Sequence, residues 1–208
     1  MHMNTEERAM IRAEIIRTQE RIGTVGDGFW GPQSIAACQR HLRSMMPSPH
    51  PFPTEGSPEF LEFFGPHGQE NGYTPPSRKI ILPFSIYYDQ TPVTALRVHE
   101  RCADSLLGVF ERLAAVYPDE ASRRAAGILA YGGLYNPRLK RGSTQSWSMH
   151  AWMNAIDLNP GKNGNKTSWP VSATMQIEVM ECFAQEGWLS AGAFWGRDAM
   201  HFQATAPV

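Results

Sequence analysis

Proline and glycine divide this chain more sharply than any other feature of its sequence. They recur through residues 47–78 in the groups PSPHPFP, GSP, FGPHG and TPPS. Proline lacks the backbone N–H that helix interiors and central strands require, and glycine weakens both kinds of element. This stretch therefore predicts a linker or covering loop, with room for one short helical turn at Pro58–Phe64.

Residues 1–46 have the pattern of two short helices around a glycine-rich turn. Apolar residues of helical period predict helices over Thr5–Ile22 and over Gln33–Met45, with Pro32 in the first turn of the second. The turn between them reads GTVGDGFWG. A unit of this size buries too little surface to be very stable alone.

Residues 79–208 mix strand and helix patterns without a regular alternation of the two. Such a mixture predicts an α+β fold rather than repeated βαβ units. The predicted elements are a strand at Ile80–Tyr88, a long helix at Pro92–Tyr117, a short strand at Ala155–Asn159, a helix at Pro170–Glu186, and short strands and turns within Gly187–Gln203.

Charge and composition exclude several classes of function. The formal net charge is -1 and no long basic run occurs, so we expect no nucleic-acid partner. No apolar run approaches 18 residues, which predicts that the chain has no membrane span. The charged N-terminus lacks the apolar stretch of a secretory signal, so we expect synthesis in a cytoplasm. The three cysteines lie far apart in helical patterns and are expected to be buried apolar residues.

The residues best suited to chemistry lie in two segments, SMHAWMNAIDLN (Ser148–Asn159) and FWGRDAMHF (residues 194–202). A carboxylate within a short, half-buried strand is costly unless it is paired. Two imidazoles and one carboxylate, His150, Asp157 and His201, form a suitable ligand set for catalytic zinc and leave one position for water. Asp198 would then take a proton from that water.

The spacing of these residues also admits a purely structural interpretation. His201 would then be a core histidine with satisfied hydrogen bonds, and Asp157 would accept amides from the following turn, PGKNG. The other histidines are weaker ligand candidates, because they lie in the N-terminal tail, in proline-rich loops or on charged helix faces: His2, His41, His50, His67 and His99. The chain has no GxSxG segment and no cysteine beside a histidine in a glycine-flanked turn, so a nucleophilic hydrolase is not indicated.

The two segments together resemble the zinc peptidases of bacterial cell walls, the D-alanyl-D-alanine carboxypeptidase and L-alanyl-D-glutamate endopeptidase family of the phage endolysin type. The family's first pattern, S-x-H-x-x-G-x-A-x-D, is matched by Ser148, His150, Ala155 and Asp157, with Met153 in place of the glycine. Its second pattern is matched by Trp195, Gly196, Asp198, His201 and Phe202. The resemblance implies a small antiparallel sheet with flanking helices, a Zn²⁺ ion bound by His150, Asp157 and His201, and Asp198 as catalytic base.

The segment before the first pattern, YNPRLKRGSTQSWSMH, resembles the same family, in which an arginine faces the scissile peptide. Arg138 matches that position best and Arg141 second, and either could instead be a solvated loop charge. On this resemblance Arg138 stabilises the oxyanion or holds a substrate carboxylate. The residues expected to contact the substrate are Arg141, Ser148 and Trp195.

The N-terminal unit is similar to the small helical peptidoglycan-binding module. The residues that carry this resemblance are Gln19, Ile22, Gly23, Asp27, Gly28, Trp30, Gly31, Ser34 and Ala37. The unit would either bind the wall or serve only in packing. The predicted organisation is a helical peptidoglycan-binding-like module over residues 1–46, a linker over 47–78 and a zinc peptidase domain over 79–208.

These resemblances imply a zinc peptidase that hydrolyses the stem peptides of peptidoglycan. We expect a phage or prophage endolysin that cuts the L-Ala–D-Glu bond, works as a monomer, is made in the host cytoplasm and reaches the wall after the membrane is permeabilised. The alternatives are a D-Ala-D-Ala carboxypeptidase and a catalytically silent wall-binding or virion protein.

Overall fold

The computed structural model describes residues 4–208 and confirms the α+β class. Within that range none of the helices is long and apolar enough to cross a membrane. The helices are α1 (Thr5–Arg21), α2 (Pro32–Met45), α3 (Pro58–Phe64), α4 (Ala103–Val116), α5 (Glu120–Ala125), α6 (Pro160–Asn163), α7 (Ile177–Gln185) and α8 (Ala191–Trp195). The strands are β1 (Ser77–Tyr88), β2 (Thr91–His99), β3 (Tyr131–Gly133), β4 (Ala155–Leu158), β5 (Leu189–Ser190) and β6 (His201–Gln203).

The strands form two antiparallel sheets. One is the β1–β2 hairpin, and the other has four strands in the order β3-β4-β6-β5. Strand β4 lies between β3 and β6, and its register with β6 places Asp157 opposite His201. Residues directly opposite each other in an antiparallel pair project from the same face of the sheet. The small sheet therefore brings together two side chains that are 44 positions apart in the sequence.

The predicted helix over Pro92–Tyr117 is wrong in its first third. Residues Thr91–His99 form β2, and only Ala103–Val116 is α-helical. Val93 and Leu96 fit a helical stripe, but β2 pairs with β1 through a two-residue connection in which Asp89 has a φ of 56°. A positive φ at such a position is typical of tight hairpin turns, and this turn determines the structure of the segment that follows.

The predicted helix over Pro170–Glu186 is also too long, since only Ile177–Gln185 is helical. The preceding turn is held by Asn163, whose Oδ1 accepts the backbone N–H groups of Thr174 and Met175, both at 2.8 Å. A distant side chain thus satisfies donors that a helix would otherwise bond internally.

One apolar cluster connects all three predicted segments. It contains Leu42 of α2, Phe60 and Phe64 of α3, and buried residues of α4, α7 and β6. The stretch 47–78 therefore contributes side chains to the core, and the short helix predicted at Pro58–Phe64 is confirmed. The boundaries 1–46, 47–78 and 79–208 stay a prediction. The three cysteines are buried and unpaired, as predicted.

Glu181 of α7 anchors the two N-terminal helices to the rest of the molecule. Its carboxylate accepts two hydrogen bonds from the Arg21 guanidinium, at 2.8 and 2.6 Å, and lies 2.8 Å from His41 Nε2. The Glu181 side chain is only 6% exposed. Bidentate bonds to a buried carboxylate are among the stronger polar contacts in proteins.

We predict that Glu181→Ala lowers the free energy of unfolding by about 2 kcal/mol, because its hydrogen bonds to Arg21 and His41 are lost and Arg21 keeps only a longer contact, of 3.6 Å, with Glu178. Urea denaturation measures the change. Glu14→Ala is the matched control, since Glu14 also pairs with an arginine of α1 but is 47% exposed. It should change the free energy by less than about 0.5 kcal/mol. Equal effects of the two changes would contradict the anchoring role.

Candidate metal centre

The chain folds back on itself between His150 and Asp157. His150 lies in a 3-10 turn over Met149–Trp152, and Met153 then adopts a left-handed conformation with φ 58° that redirects the backbone into β4. Asp157 faces His201 across the β4–β6 ladder. The local turn and the long-range strand pairing together bring His150, Asp157 and His201 to one point.

The three side chains form a nearly equilateral triangle of possible ligand atoms. His150 Nε2 lies 3.2 Å from Asp157 Oδ1, His201 Nδ1 lies 3.1 Å from the same oxygen, and the two nitrogens are 3.2 Å apart. Ligands about 2.0–2.1 Å from a tetrahedral zinc ion are about 3.3 Å from one another. The triangle therefore has the size of three corners of a zinc coordination tetrahedron.

Both imidazoles are oriented by a hydrogen bond from the nitrogen that faces away from the triangle. His150 Nδ1 lies 2.8 Å from the Leu134 carbonyl oxygen, which can only accept, so this nitrogen carries the proton. His201 Nε2 lies 3.1 Å from Gln203 Oε1. The nitrogens at the triangle are then left with free electron pairs. This is the arrangement of metal-binding histidines, whose second nitrogen usually donates to an oxygen.

The electrostatics of the triangle favour a cation. Burial alone would raise the pKa of Asp157, but the two imidazoles beside it, His150 and His201, outweigh burial and hold that pKa below its usual range. Burial lowers the pKa of His201, but the adjacent Asp157 carboxylate outweighs burial and raises that pKa. The carboxylate is thus ionised in a largely buried place where positive charge is stabilised. The donor set fits Zn²⁺, which takes imidazole nitrogen and carboxylate oxygen together.

Asp198 lies beside the triangle in a strained conformation. Its φ is 60°, and its carbonyl accepts the His201 N–H at 2.9 Å. Its Oδ1 is buried and has no hydrogen-bond partner among residues 4–208. Burial raises the pKa of this carboxyl group; His201 opposes the rise and the charge of Asp157 adds to it. A non-glycine residue held in the left-handed region is typical of functional sites, and an unpaired carboxylate oxygen is available to accept a proton.

Residues 141–204 match the model of a family described as D-alanyl-D-alanine carboxypeptidase. This carboxypeptidase-like segment contains the whole triangle and Asp198. The family consists of zinc peptidases that act on the stem peptides of peptidoglycan. No curated protein and no solved structure matches the chain.

The remaining predicted site residues line the same cavity as the triangle. This cavity has a volume of about 300 Å³ and is lined by all eight predicted residues: Arg138, Arg141, Ser148, His150, Asp157, Trp195, Asp198 and His201. The Trp195 ring stacks beside the His201 imidazole with centroids 5.8 Å apart, and it is 44% exposed. Ser148 is buried, and Arg138 donates to the Leu139 carbonyl at 3.0 Å. Arg138 lies just outside the matched segment.

Sequence reasoning missed the residues behind the triangle. Gln203 follows His201 by two positions on a strand, so the alternation of side chains would have placed both on one face. Leu134 acts through its backbone carbonyl, which carries no sequence signal. Glu55 reaches Gln203 from the proline-rich stretch, at 3.0 Å, and no local pattern indicates that contact.

Met153 occupies the left-handed position for which the carboxypeptidase-like pattern has glycine. Its φ of 58° and ψ of 26° explain why glycine suits this place, since a side chain there costs about 1 kcal/mol. The Met153 side chain is only 5% exposed, so its burial offsets that strain. The three candidate ligand atoms converge despite the substitution, and the loop is a variant that retains the triangle.

We predict an inverted order of stability for two substitutions at Met153. Both Met153→Ala and Met153→Gly lose a buried side chain, at about 2–4 kcal/mol. Glycine also removes the left-handed strain. The free energy of unfolding of Met153→Gly should therefore be about 1 kcal/mol higher than that of Met153→Ala. Chemical denaturation measures both. At an exposed helical position the usual order, with alanine more stable than glycine, should hold. Ala13→Gly in α1 should therefore be less stable than the parent by about 1 kcal/mol. If Met153→Ala proved the more stable variant, the backbone at this turn would not be left-handed.

Proposed function

We propose that this chain is a zinc-dependent peptidase that hydrolyses peptidoglycan stem peptides and cuts the L-Ala–D-Glu bond, as a phage or prophage endolysin does. One observation carries the proposal. Two imidazole nitrogens and a largely buried carboxylate oxygen converge at 3.1–3.2 Å, beside a second carboxylate with an unpartnered oxygen. Catalytic zinc sites use three protein ligands of these types and leave one position for water.

Each residue of the site has a proposed role in hydrolysis. His150, Asp157 and His201 would hold the ion. When bound, zinc would supply a Lewis acid and lower the pKa of a water molecule. Asp198 accepts the proton as water attacks the peptide carbonyl and returns it to the leaving amine. Arg138 donates hydrogen bonds to the oxygen on which negative charge develops.

Unpaired arginines around the centre support an anionic peptide as the substrate. A second cavity, of about 680 Å³, adjoins the first and shares Arg138, Arg141, His150 and Asp157 with it. None of the arginines that line the two cavities forms an ion pair within residues 4–208: Arg97, Arg138, Arg141 and Arg197. Stem peptides carry several carboxylates, which guanidinium groups bind with two parallel hydrogen bonds.

The two adjoining cavities favour cleavage inside the peptide rather than at its end. A carboxypeptidase needs room for one residue beyond the scissile bond, whereas an endopeptidase needs room on both sides. The two cavities meet at His150 and Asp157, and the second is also lined by Tyr88 and Arg97 of the β1–β2 hairpin. This observation supports the endopeptidase over the D-Ala-D-Ala carboxypeptidase.

We further propose that the N-terminal helices bind the wall polymer. Gln19 is buried and holds the loop between α1 and α2, donating to Asp27 Oδ1 at 2.8 Å and accepting the Gly28 N–H at 2.9 Å. Val25 and Phe29 of that loop are 73% and 71% exposed and line a cavity of about 400 Å³. Exposed apolar side chains on a rigid loop are suited to contact a ligand. Action on the wall after membrane permeabilisation, by a monomer, is part of the same proposal.

Mass analysis of digested peptidoglycan tests this function. Zinc-loaded protein should release fragments with a new amino terminus on D-glutamate. Free D-alanine without such fragments would support the carboxypeptidase instead. Unchanged peptidoglycan would overturn both and leave a wall-binding or virion protein.

A further inference from the structure

A buried chain of hydrogen bonds leads from His201 into the proline-rich stretch. Gln203 is 1% exposed, and its Oε1 lies 3.1 Å from His201 Nε2. Its Nε2 donates to Glu55 Oε2 at 3.0 Å and to Thr205 Oγ1 at 2.7 Å. The second carboxylate oxygen of Glu55 pairs with Lys140.

Glu55 determines the direction in which the hydrogen bonds of this series are donated. An ionised carboxylate only accepts hydrogen bonds, so the Gln203 amide must present its NH₂ group to Glu55 and its oxygen to His201. His201 Nε2 must then carry the proton, because it faces an acceptor. The free electron pair of His201 is consequently on Nδ1, the atom that faces Asp157 and His150.

The opposite polarity would disable the ligand. If the amide were reversed, its NH₂ group would face His201 Nε2 and favour a proton on Nδ1, which cannot then bind a metal. The reversed amide would also place its oxygen against the Glu55 carboxylate, where two acceptors repel. The charge of Glu55 therefore opposes the unproductive tautomer.

The backbone around Glu55 is fixed against the end of the sheet. Thr54 forms a bridge with Ala206, and the Ala206 N–H donates to the Pro53 carbonyl at 3.1 Å. Strand β6 ends at Gln203, a few residues before that contact. The Glu55 carboxylate is thus held at Gln203 by main-chain pairing as well as by Lys140.

We propose that Glu55 and Gln203 are positioning residues that select the metal-binding tautomer of His201, so that the stretch 47–78 completes the metal centre. The inference rests on the proposed zinc site. It assigns a role in that site to a segment that would otherwise only connect and cover. Outer hydrogen-bond partners of metal ligands typically change metal affinity by about 10–100-fold.

Exchange of the two residues tests the proposal in the full-length protein. Glu55→Gln removes the charge that orients Gln203 and should weaken Zn²⁺ binding about 10–100-fold in competition with a chromophoric chelator. The double variant Glu55→Gln with Gln203→Glu restores the polarity, since a carboxylate at 203 accepts from both His201 and the amide at 55. Its zinc affinity should return to within about threefold of the parent. Glu62→Gln, on the exposed face of α3, is the control and should leave the affinity unchanged.

Nitrogen NMR of the metal-free protein provides a readout that does not depend on zinc or activity. The parent and the double variant should show a larger fraction of His201 protonated at Nε2 alone than Glu55→Gln does, because Asp157 acts equally on Nδ1 in all three proteins. Parent-like zinc affinity in Glu55→Gln, or no recovery in a folded double variant, would overturn the proposal. Failure of the parent to bind zinc would instead refute the proposed function, whereas the NMR comparison would still test the tautomer.

Discussion

Asp198→Asn is expected to lower kcat for stem-peptide hydrolysis by about 10²–10⁴-fold, the usual contribution of a general acid–base residue. Asparagine has the shape of aspartate but cannot accept and return the proton. It also tolerates the left-handed backbone that Asp198 adopts at φ 60°, so the fold should persist. Because Asp198 lies outside the triangle of ligand atoms, the zinc content should stay at the parent value.

Kinetics on a purified stem peptide and metal analysis of the same sample measure these two quantities. Asp89→Asn is a matched control, since Asp89 is also an aspartate in the left-handed region, with φ 56°, but belongs to the β1–β2 turn. It should leave kcat unchanged. Full activity in Asp198→Asn would exclude this residue as the base. Loss of zinc would show that it is a ligand.

Removal of one ligand is expected to weaken zinc binding strongly and to lower hydrolysis with it. Zinc binds to structural sites with about 10–16 kcal/mol. Divided among four ligands this is roughly 3 kcal/mol each, so His150→Ala should weaken zinc binding by about 10²–10³-fold. The imidazole is buried, and its Nδ1 bond to the Leu134 carbonyl would be lost as well. Hydrolysis should fall further than in Asp198→Asn, because the ion itself is missing.

Zinc affinity after removal of bound metal, followed by activity at a zinc concentration that just loads the parent, measures the effect of His150→Ala. His50→Ala serves as control, since His50 bonds to Phe52 and lies outside both cavities. It should bind zinc as the parent does. An active His150→Ala variant with parent-like affinity would show that the triangle is structural, with His201 and Asp157 serving only as satisfied core residues.

The sequence indicates the site more completely than it indicates the fold around it. The candidate ligands His150, Asp157 and His201 are predicted chiefly by the resemblance of their two segments to a family pattern, since their spacing alone also fits a structural role. The register that places Asp157 opposite His201 depends on pairing between β4 and β6, which no local pattern specifies. The three residues can therefore be proposed from the sequence, but only the pairing of β4 with β6 shows that Asp157 and His201 lie close together.

Long-range partners account for the errors in the predicted elements. Val93 and Leu96 satisfy a helical period as well as a strand period over so short a stretch, and the partner strand β1 decides between them. Asn163 similarly prevents a helix over 170–176 from a position outside that segment. The proposed role of Glu55 also depends on a distant partner, Gln203, which is 148 positions away.

Anomalous diffraction at the zinc absorption edge, from crystals of zinc-loaded protein, tests the central claim most directly. The account predicts one peak per chain, about 2.0–2.2 Å from His150 Nε2, Asp157 Oδ1 and His201 Nδ1. A peak at other residues, or no peak in zinc-saturated crystals, would contradict it.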